Sequence, residues 1–205
     1  MSTPPAPGAD QPTATDPTAI PHAAQTTIDA RDRGRARRSR TPRQRLADLP
    51  TGERDPLGIL RAQNATRVPE LLPLRTERMS ASAFAFFRGT AAVMAADLAA
   101  TAHSGIPVAS CGDAHLSNFG FYASPQRTLV FDLNDFDEAA IAPWEWDLKR
   151  LVTSVVIAAQ ENAYAPKDVR AVALAAAAAY RKGMRELAAL PVLQRYHYPA
   201  DIDPA

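Results

Sequence analysis

The hydrophobic periodicity of the chain changes twice along its length, and this constrains the fold more than any other feature. Two stretches before residue 105 and two after residue 143 repeat apolar residues at helical spacing. Between them the apolar residues stand in short runs, bounded by turn-forming residues, that are typical of strands. We therefore expect an α+β fold that is mostly helical and contains a short β-hairpin.

Capping residues and turns place the predicted elements. Asp55-Pro56 favours a helix start, because an N-cap carboxylate is followed by proline at the first helical position. The predicted helices cover residues 56–68 and 81–101, the second interrupted at Arg88-Gly89, and two more begin after Pro143 and at Pro166. The predicted strands cover residues 107–111, 119–123 and 127–133.

Composition excludes several classes of protein. A disulfide scaffold is excluded because the 205 residues include one cysteine. The formal net charge of +1 argues against electrostatic binding of nucleic acid by the protein as a whole. No apolar run approaches the roughly 18 residues that a membrane-spanning helix needs, and the N-terminus lacks the pattern of a secretion signal. We therefore expect a cytoplasmic protein without a membrane segment.

The first 50 residues differ in composition from the rest. Residues 1–28 hold six of the 18 prolines and almost no large apolar side chains, which predicts a disordered tail. Residues 29–50 form an arginine-rich arm that either binds an anionic partner or folds against an acidic patch elsewhere. The second interpretation is favoured, because no aromatic residues interleave the arginines to stack on bases. Residues 51–205 form the remaining domain.

Polar residues concentrate within residues 111–150, among the predicted strands. Carboxylates at strand ends repel one another unless a cation joins them. The segment is therefore either a set of solvated turns or a site for a hard cation with oxygen ligands, as Mg²⁺ requires.

The spacing of these residues favours a cation site. Asp113 precedes Asn118 by five positions, and a predicted hairpin then leads to Asp135-Phe136-Asp137. In protein kinases an Asp and an Asn at this spacing accept the substrate proton and bind Mg²⁺, and a later Asp-Phe motif holds metal at the phosphates. This order of motifs predicts phosphoryl transfer.

The motifs resemble the aminoglycoside-phosphotransferase-like branch of the kinase-like superfamily, which has H-G-D-x-x-x-x-N, then I-D-F-G/D-x-A, then P-x-x-x-D-L. More specifically, CGDAHLSNFG, LVFDLNDFDEA and PWEWDLKRL are similar to the bacterial family called domain of unknown function 2252, from about Gly34 to Tyr164. The resemblance implies a kinase-like catalytic lobe, whose hairpin carries the catalytic and metal-binding loops.

The resemblance also implies roles for individual residues. Asp113 would be the catalytic base, and Asn118 and Asp135 would bind Mg²⁺ and, through it, ATP. Asp137 would be a further metal ligand. Asp147 would anchor the catalytic loop, while its alternative is a plain carboxylate at a helix start, favoured by the helix dipole, and both can hold.

Three further residues have two interpretations each. His115 is a second candidate catalytic residue that would contact a proton or a phosphate, or else an oriented structural histidine. Cys111 stands where the relatives have histidine, and we interpret it as a small buried residue and not as a nucleophile. Arg88 is either a phosphate contact or an ordinary flanking arginine.

Two parts of a kinase are missing from the sequence. A glycine-rich loop should cover the phosphates and a strand lysine should reach them, but no G-x-G-x-x-G occurs and Lys149, Lys167 and Lys182 all fall in predicted helices. The resemblance places both parts after the catalytic segment. We therefore expect an incomplete, truncated lobe of a Mg²⁺-dependent phosphotransferase that binds Mg-ATP weakly or not at all. The phosphoryl acceptor, a small molecule or a protein, is undetermined.

Two other functions compete with this prediction. The first is a non-catalytic, pseudokinase-like binding module, which the missing glycine-rich loop favours. The second is a metal-dependent phosphoesterase, since residues 112–115 read Gly-Asp-Ala-His and two-metal hydrolysis uses clustered carboxylates. Such sites need several histidines, however. Of the four in the chain, His22 lies in the predicted disordered tail, and no motif surrounds His103 or His197.

Overall fold

The structure, a computed structural model, describes residues 27–125, 127–196 and 198. The α-helices are α1 Thr27–Arg40, α2 Pro56–Asn64, α3 Leu72–Ser80, α4 Ala83–Arg88, α5 Ala91–Ala99, α6 Glu145–Glu161, α7 Pro166–Ala189 and α8 Val192–Tyr196. The strands are β1 Pro107–Ser110, β2 Phe119–Ala123, β3 Leu129–Leu133 and β4 Ala140–Pro143, and short 3-10 helices cover Arg43–Ala47, Pro69–Leu71 and Leu116–Asn118. The predicted α+β class, mostly helical, is confirmed.

The predicted helix starts at Pro56 and Pro166 and the predicted break at Gly89 are confirmed, whereas α1, α3 and α8 were not predicted. Asp55 caps α2 by accepting a hydrogen bond from the Gly58 N–H at 2.7 Å, and the predicted interruption at Gly89 separates α4 from α5. α2 ends at Asn64, four residues before the predicted end. α3 was not predicted, because charged residues interrupt the apolar repeat of its nine residues.

The four strands form two separate antiparallel pairs. β2 and β3 form the predicted hairpin, with Phe119 opposite Leu133. β4 was not predicted. It pairs with β1, with Ser110 opposite Ala140, and a four-residue strand with a distant partner leaves little periodicity to detect. This pairing brings the loop after β1 and the loop before β4 out at the same end of the strands.

α6 lies at the centre of the helical part and packs against α4, α5 and α7. Unusually for a central helix, its buried side chains include Glu145, Arg150 and Ser154. Ser154 is fully buried, donates to the Leu151 carbonyl at 2.7 Å and accepts from the Leu116 N–H at 3.1 Å. α6 therefore holds the segment after β1 by polar contacts as well as by packing.

α1 and the 3-10 helix Arg43–Ala47 cover most of the arginine-rich arm. The predicted disordered tail lies outside the described residues up to position 26, and residues 27 and 28 begin α1. Arg37 donates to the carbonyls of Ser104 at 2.9 Å and Gly105 at 2.5 Å. The arm thus contacts backbone carbonyls that precede β1. Arg37 binds these carbonyls and not the acidic patch that was expected.

Across the described ranges, no helix combines the length and the apolar character needed to cross a membrane.

Candidate functional site

One cavity of about 900 Å³ is lined by all five predicted site residues: Asp113, His115, Asn118, Asp135 and Asp137. Its volume lies within the roughly 300–1,000 Å³ of typical ligand pockets. The loops after β1 and after β3 form one side of it, and helical residues that precede β1 form the other. The structure therefore brings the predicted residues together, while their chemical roles stay predictions.

The loop after β1 turns sharply at Gly112. The φ angle of Gly112 is +82°, a conformation that favours glycine, and a Cβ there would overlap the carbonyl oxygen of Glu138. The loops that carry Asp113 and Asp137 can therefore approach each other closely only because residue 112 has no side chain.

Asp147 holds this loop from the first turn of α6. Its carboxylate accepts hydrogen bonds from the Ser110 hydroxyl at 2.7 Å, the Cys111 N–H at 2.8 Å and the Gly112 N–H at 3.1 Å. The predicted anchoring role of Asp147 is confirmed. Because Asp147 also stands at a helix start, both of its predicted roles hold.

Asn118 is buried, and its side chain is fixed by the same loop. Its Nδ2 donates to the backbone carbonyl of Asp113 at 2.8 Å, and its own carbonyl accepts from the Asn134 N–H at 3.0 Å. This arrangement uses the amide NH₂ group and leaves the amide oxygen for a ligand. Asn118 thus links the loop after β1 to the end of the hairpin.

Arg150, which the sequence interpretation missed, contacts the predicted base directly. Its Nε and Nη2 both lie 2.7 Å from Oδ1 of Asp113. Nη2 also donates to the Phe87 carbonyl at 2.6 Å, and the guanidinium lies 3.9 Å from the centroid of the Phe87 ring. Only 2% of Arg150 is exposed, and burial lowers its pKa while Asp113 raises it. One signal was available: Arg150 follows Asp147 by three positions, so both lie on one side of α6.

His115 is buried beside this ion pair, with 2% of its surface exposed. Its Nε2 lies 3.6 Å from Oδ2 of Asp113, and Phe84 packs edge-on against its ring. Burial lowers the pKa of His115; Asp113 opposes this, and the positive charges of Arg150 and Arg88 add to it. Among the residues that the structure describes, Nδ1 has no hydrogen-bond partner. The environment therefore favours the neutral imidazole, which is compatible with either of its two predicted roles.

We expect the protein to lose stability as the pH falls through the ordinary histidine range. Because the pKa of His115 is lower in the folded state, the unfolded chain binds this proton more readily. The contribution of His115 is thus complete above about pH 6.5 and decreases below it, by at most about 1.4 kcal/mol per pH unit. Urea unfolding at pH 7.5 and pH 5.5 measures the loss, which should be smaller in His115→Gln.

His103→Gln is the matched control for that experiment, because His103 is exposed. It should keep the full pH dependence. Equal losses in His115→Gln and in the unsubstituted protein would contradict the prediction.

Asp135 and Asp137 lie in the loop between β3 and β4, where Oδ1 of Asp135 accepts from the Asp137 N–H at 3.2 Å. Within residues 27–125, 127–196 and 198, no three His, Cys, Asp or Glu side chains are grouped closely enough to hold a metal ion. Mg²⁺ commonly keeps several waters and takes one or two carboxylates together with substrate phosphates. A Mg²⁺ site at Asn118, Asp135 and Asp137 therefore stays a prediction.

Cys111 is buried beneath the site, with its thiol 3.2 Å from the carbonyl of Asp135. Burial raises the pKa of this thiol, which disfavours the reactive thiolate. The prediction that Cys111 is a buried residue is confirmed. All three lysines also lie in helices, as predicted: Lys149 in α6, and Lys167 and Lys182 in α7.

Comparison with known proteins adds one finding. The family model described as an uncharacterized protein conserved in bacteria, DUF2252, matches residues 67–203. No curated protein and no solved structure matches the chain. The matched range covers well over half of the chain and includes every predicted site residue. The chain therefore belongs to the DUF2252 family of bacterial proteins.

Proposed function

We propose that this protein is a Mg²⁺-dependent phosphotransferase with a kinase-like catalytic lobe. The observation that best supports this is the loop from Cys111 to Asn118. Asp147 holds its backbone, and Asn118 is bound to the Asp113 carbonyl, so both side chains line one cavity with Asp135. Catalysis of phosphoryl transfer is mainly positioning and charge stabilisation, and a rigid loop of this kind would provide the positioning.

Asp113 would accept the proton of the acceptor hydroxyl through Oδ2. Arg150 holds Oδ1, which orients the carboxylate and leaves the second oxygen for substrate. Asn118, Asp135 and Asp137 would hold Mg²⁺ through their oxygens, and Mg²⁺ when bound neutralises charge on the phosphates of ATP. His115, neutral and 3.6 Å from Oδ2, would contact the proton or the phosphate.

The same ion pair favours a second candidate, a pseudokinase-like binding module. Asp113 already balances the buried charge of Arg150, which gives this carboxylate a structural role that needs no substrate. This module would bind Mg-ATP without transferring phosphate. A metal-dependent phosphoesterase stays a prediction that none of these contacts favours.

Calorimetry of ATP binding to the full chain tests the proposed metal site. We expect ATP binding to be weak, because the sequence has no glycine-rich loop to cover the phosphates. Mg²⁺ should strengthen this binding, and Asp135→Asn should weaken it about tenfold, roughly 1.4 kcal/mol, because one charged ligand is lost. In EDTA the variant should bind ATP as the unsubstituted protein does. Asp132→Asn is the matched control, since Asp132 is exposed on β3 and does not line the cavity.

Product analysis separates the three functions. ADP formation with Mg-ATP that Asp113→Asn abolishes supports the phosphotransferase, whereas tight Mg-ATP binding without ADP supports the binding module. Hydrolysis of nitrophenyl phosphate with Mn²⁺ would support the phosphoesterase. ATP binding that responds neither to Mg²⁺ nor to Asp135→Asn would refute the proposed metal site.

A further inference from the structure

The lining of the cavity contains charged side chains of both signs, which come from different parts of the chain. Its carboxylates come from the loops after β1 and β3: Asp113, Asp135, Asp137 and Glu138. Its cationic side chains come from helices and turns that precede β1 and are all arginines: Arg67, Arg75, Arg78 and Arg88. We call these four residues the arginine wall. Among the described residues, no direct ion pair joins the arginine wall to these carboxylates.

Arg75 is the structural member of the arginine wall. It donates to Gln63 Oε1 at 3.0 Å, to Asn64 Oδ1 at 3.1 Å and to the Gly89 carbonyl at 2.9 Å. It therefore ties α3 both to the end of α2 and to the junction of α4 with α5. Burial lowers its pKa, the nearby positive charge of Arg67 lowers it further, and Glu138 opposes both. Arg75 therefore fixes the backbone that carries the wall, with Arg67 as a nearby like charge.

The other three members have exposed side chains that the protein itself does not use. In the described part of the chain, the guanidinium groups of Arg67, Arg78 and Arg88 make no hydrogen bond or ion pair. Some exposed arginines elsewhere pair with carboxylates, as Arg54 does with Asp97 at 2.5 Å. Like charges that line one cavity repel one another, and a bound anion would reduce that repulsion.

Arg88 lines the same cavity as the predicted base Asp113. Its backbone carbonyl lies 3.4 Å from Nη2 of Arg150, the ion-pair partner of Asp113. An anion held by Arg88 would therefore share the cavity with the loop after β1. The carboxylates of Asp135 and Asp137 would repel a bare anion, but they would accept the metal ion that accompanies a phosphate chain.

We propose that the arginine wall binds the phosphate oxygens of a polyphosphate chain, with Arg67, Arg78 and Arg88 as its contacts. The planar guanidinium group matches phosphate in a two-pronged geometry. These arginines would supply the charge that a strand lysine supplies in kinases, whereas the three lysines of this chain all lie in helices away from the cavity. The identification of this ligand as the phosphoryl donor rests on the proposed phosphotransferase function.

Binding of inorganic tripolyphosphate to the full chain in EDTA tests the wall without metal and without nucleoside. We expect calorimetry to show binding that Arg78→Ala and Arg88→Ala each weaken about tenfold, because a charge-assisted contact is lost. Arg61→Ala is the charge-matched control, since Arg61 is exposed on α2 and does not line the cavity, and it should change the affinity by less than about twofold. Circular dichroism confirms that each variant is folded. Arg78→Gln repeats the test with an uncharged side chain that is longer than that of alanine.

Competition identifies the part of the ligand that is recognised. ATP should displace tripolyphosphate and adenosine should not. The proposal that the arginine wall binds phosphate would be overturned by any of three results: no tripolyphosphate binding, equal weakening by Arg61→Ala, or displacement by adenosine.

The wall and the phosphotransferase can fail separately. Wall-dependent tripolyphosphate binding in a protein that forms no ADP would support the wall and refute the phosphotransferase. Normal ADP formation in the Arg67, Arg78 and Arg88 variants would refute the proposed phosphate binding by the arginine wall. It would not contradict the proposed phosphotransferase activity.

Discussion

Replacement of Arg150 by methionine is expected to lower the free energy of unfolding by about 3–5 kcal/mol, the usual cost of breaking a buried ion pair from one side. Arg150 is 2% exposed. Methionine keeps an unbranched apolar stem but leaves the Asp113 carboxylate without its counter-charge. The Phe87 carbonyl keeps hydrogen bonds from the Thr90 N–H and hydroxyl. Urea unfolding followed by circular dichroism measures the loss.

A double-mutant cycle shows whether the pair itself causes the loss. Asp113→Asn combined with Arg150→Met should be more stable than the sum of the single variants predicts, because removing both partners leaves no unpaired charge. Arg185→Met is the control, since Arg185 is exposed on α7, and it should change stability by at most about 0.5 kcal/mol. A loss below 1 kcal/mol in Arg150→Met would show that the ion pair does not stabilise the lobe.

Asp147→Ala is expected to cost about 3 kcal/mol, because it removes the acceptor of three hydrogen bonds and leaves the Cys111 N–H without a partner. The donors are Ser110, Cys111 and Gly112. The Gly112 N–H keeps a second acceptor, the Ser110 hydroxyl at 3.2 Å. We also expect the variant to lose Mg²⁺-dependent ATP binding, since the loop to Asn118 is no longer held. Urea unfolding and calorimetry measure the two effects.

Asp168→Ala separates anchoring from the helix dipole. Asp168 is exposed in the first turn of α7, as Asp147 is in the first turn of α6, but its side chain accepts no hydrogen bond from the described residues. A dipole effect alone would cost about 0.3–1 kcal/mol at either position. Equal losses in the two variants would therefore contradict the anchoring role.

Much of the fold followed from local sequence, because its causes are local. The N-cap at Asp55, the break at Gly89 and the hairpin of β2 with β3 depend on residues close in the chain, and each was predicted. The motif from Asp113 to Asp137 also identified the residues that line the cavity. β4 was missed because a four-residue strand becomes visible only through its partner β1.

The polar contacts that complete the site could not be predicted from residues that are close together in the chain. Arg150 meets Asp113 across 37 positions and the Phe87 carbonyl across 63, and no periodicity predicts such a pair.

The arginine wall shows the same limit. Arg67, Arg78 and Arg88 stand in separate elements and form one surface only where Arg75 joins α2, α3 and α4. Spacing along the chain was enough to predict which carboxylates and amides gather after β1 and β3, because short loops and a tight hairpin keep neighbours together. The packing of the helices alone decided which cations face them, because burial and charge pairing depend on distances between elements far apart in sequence.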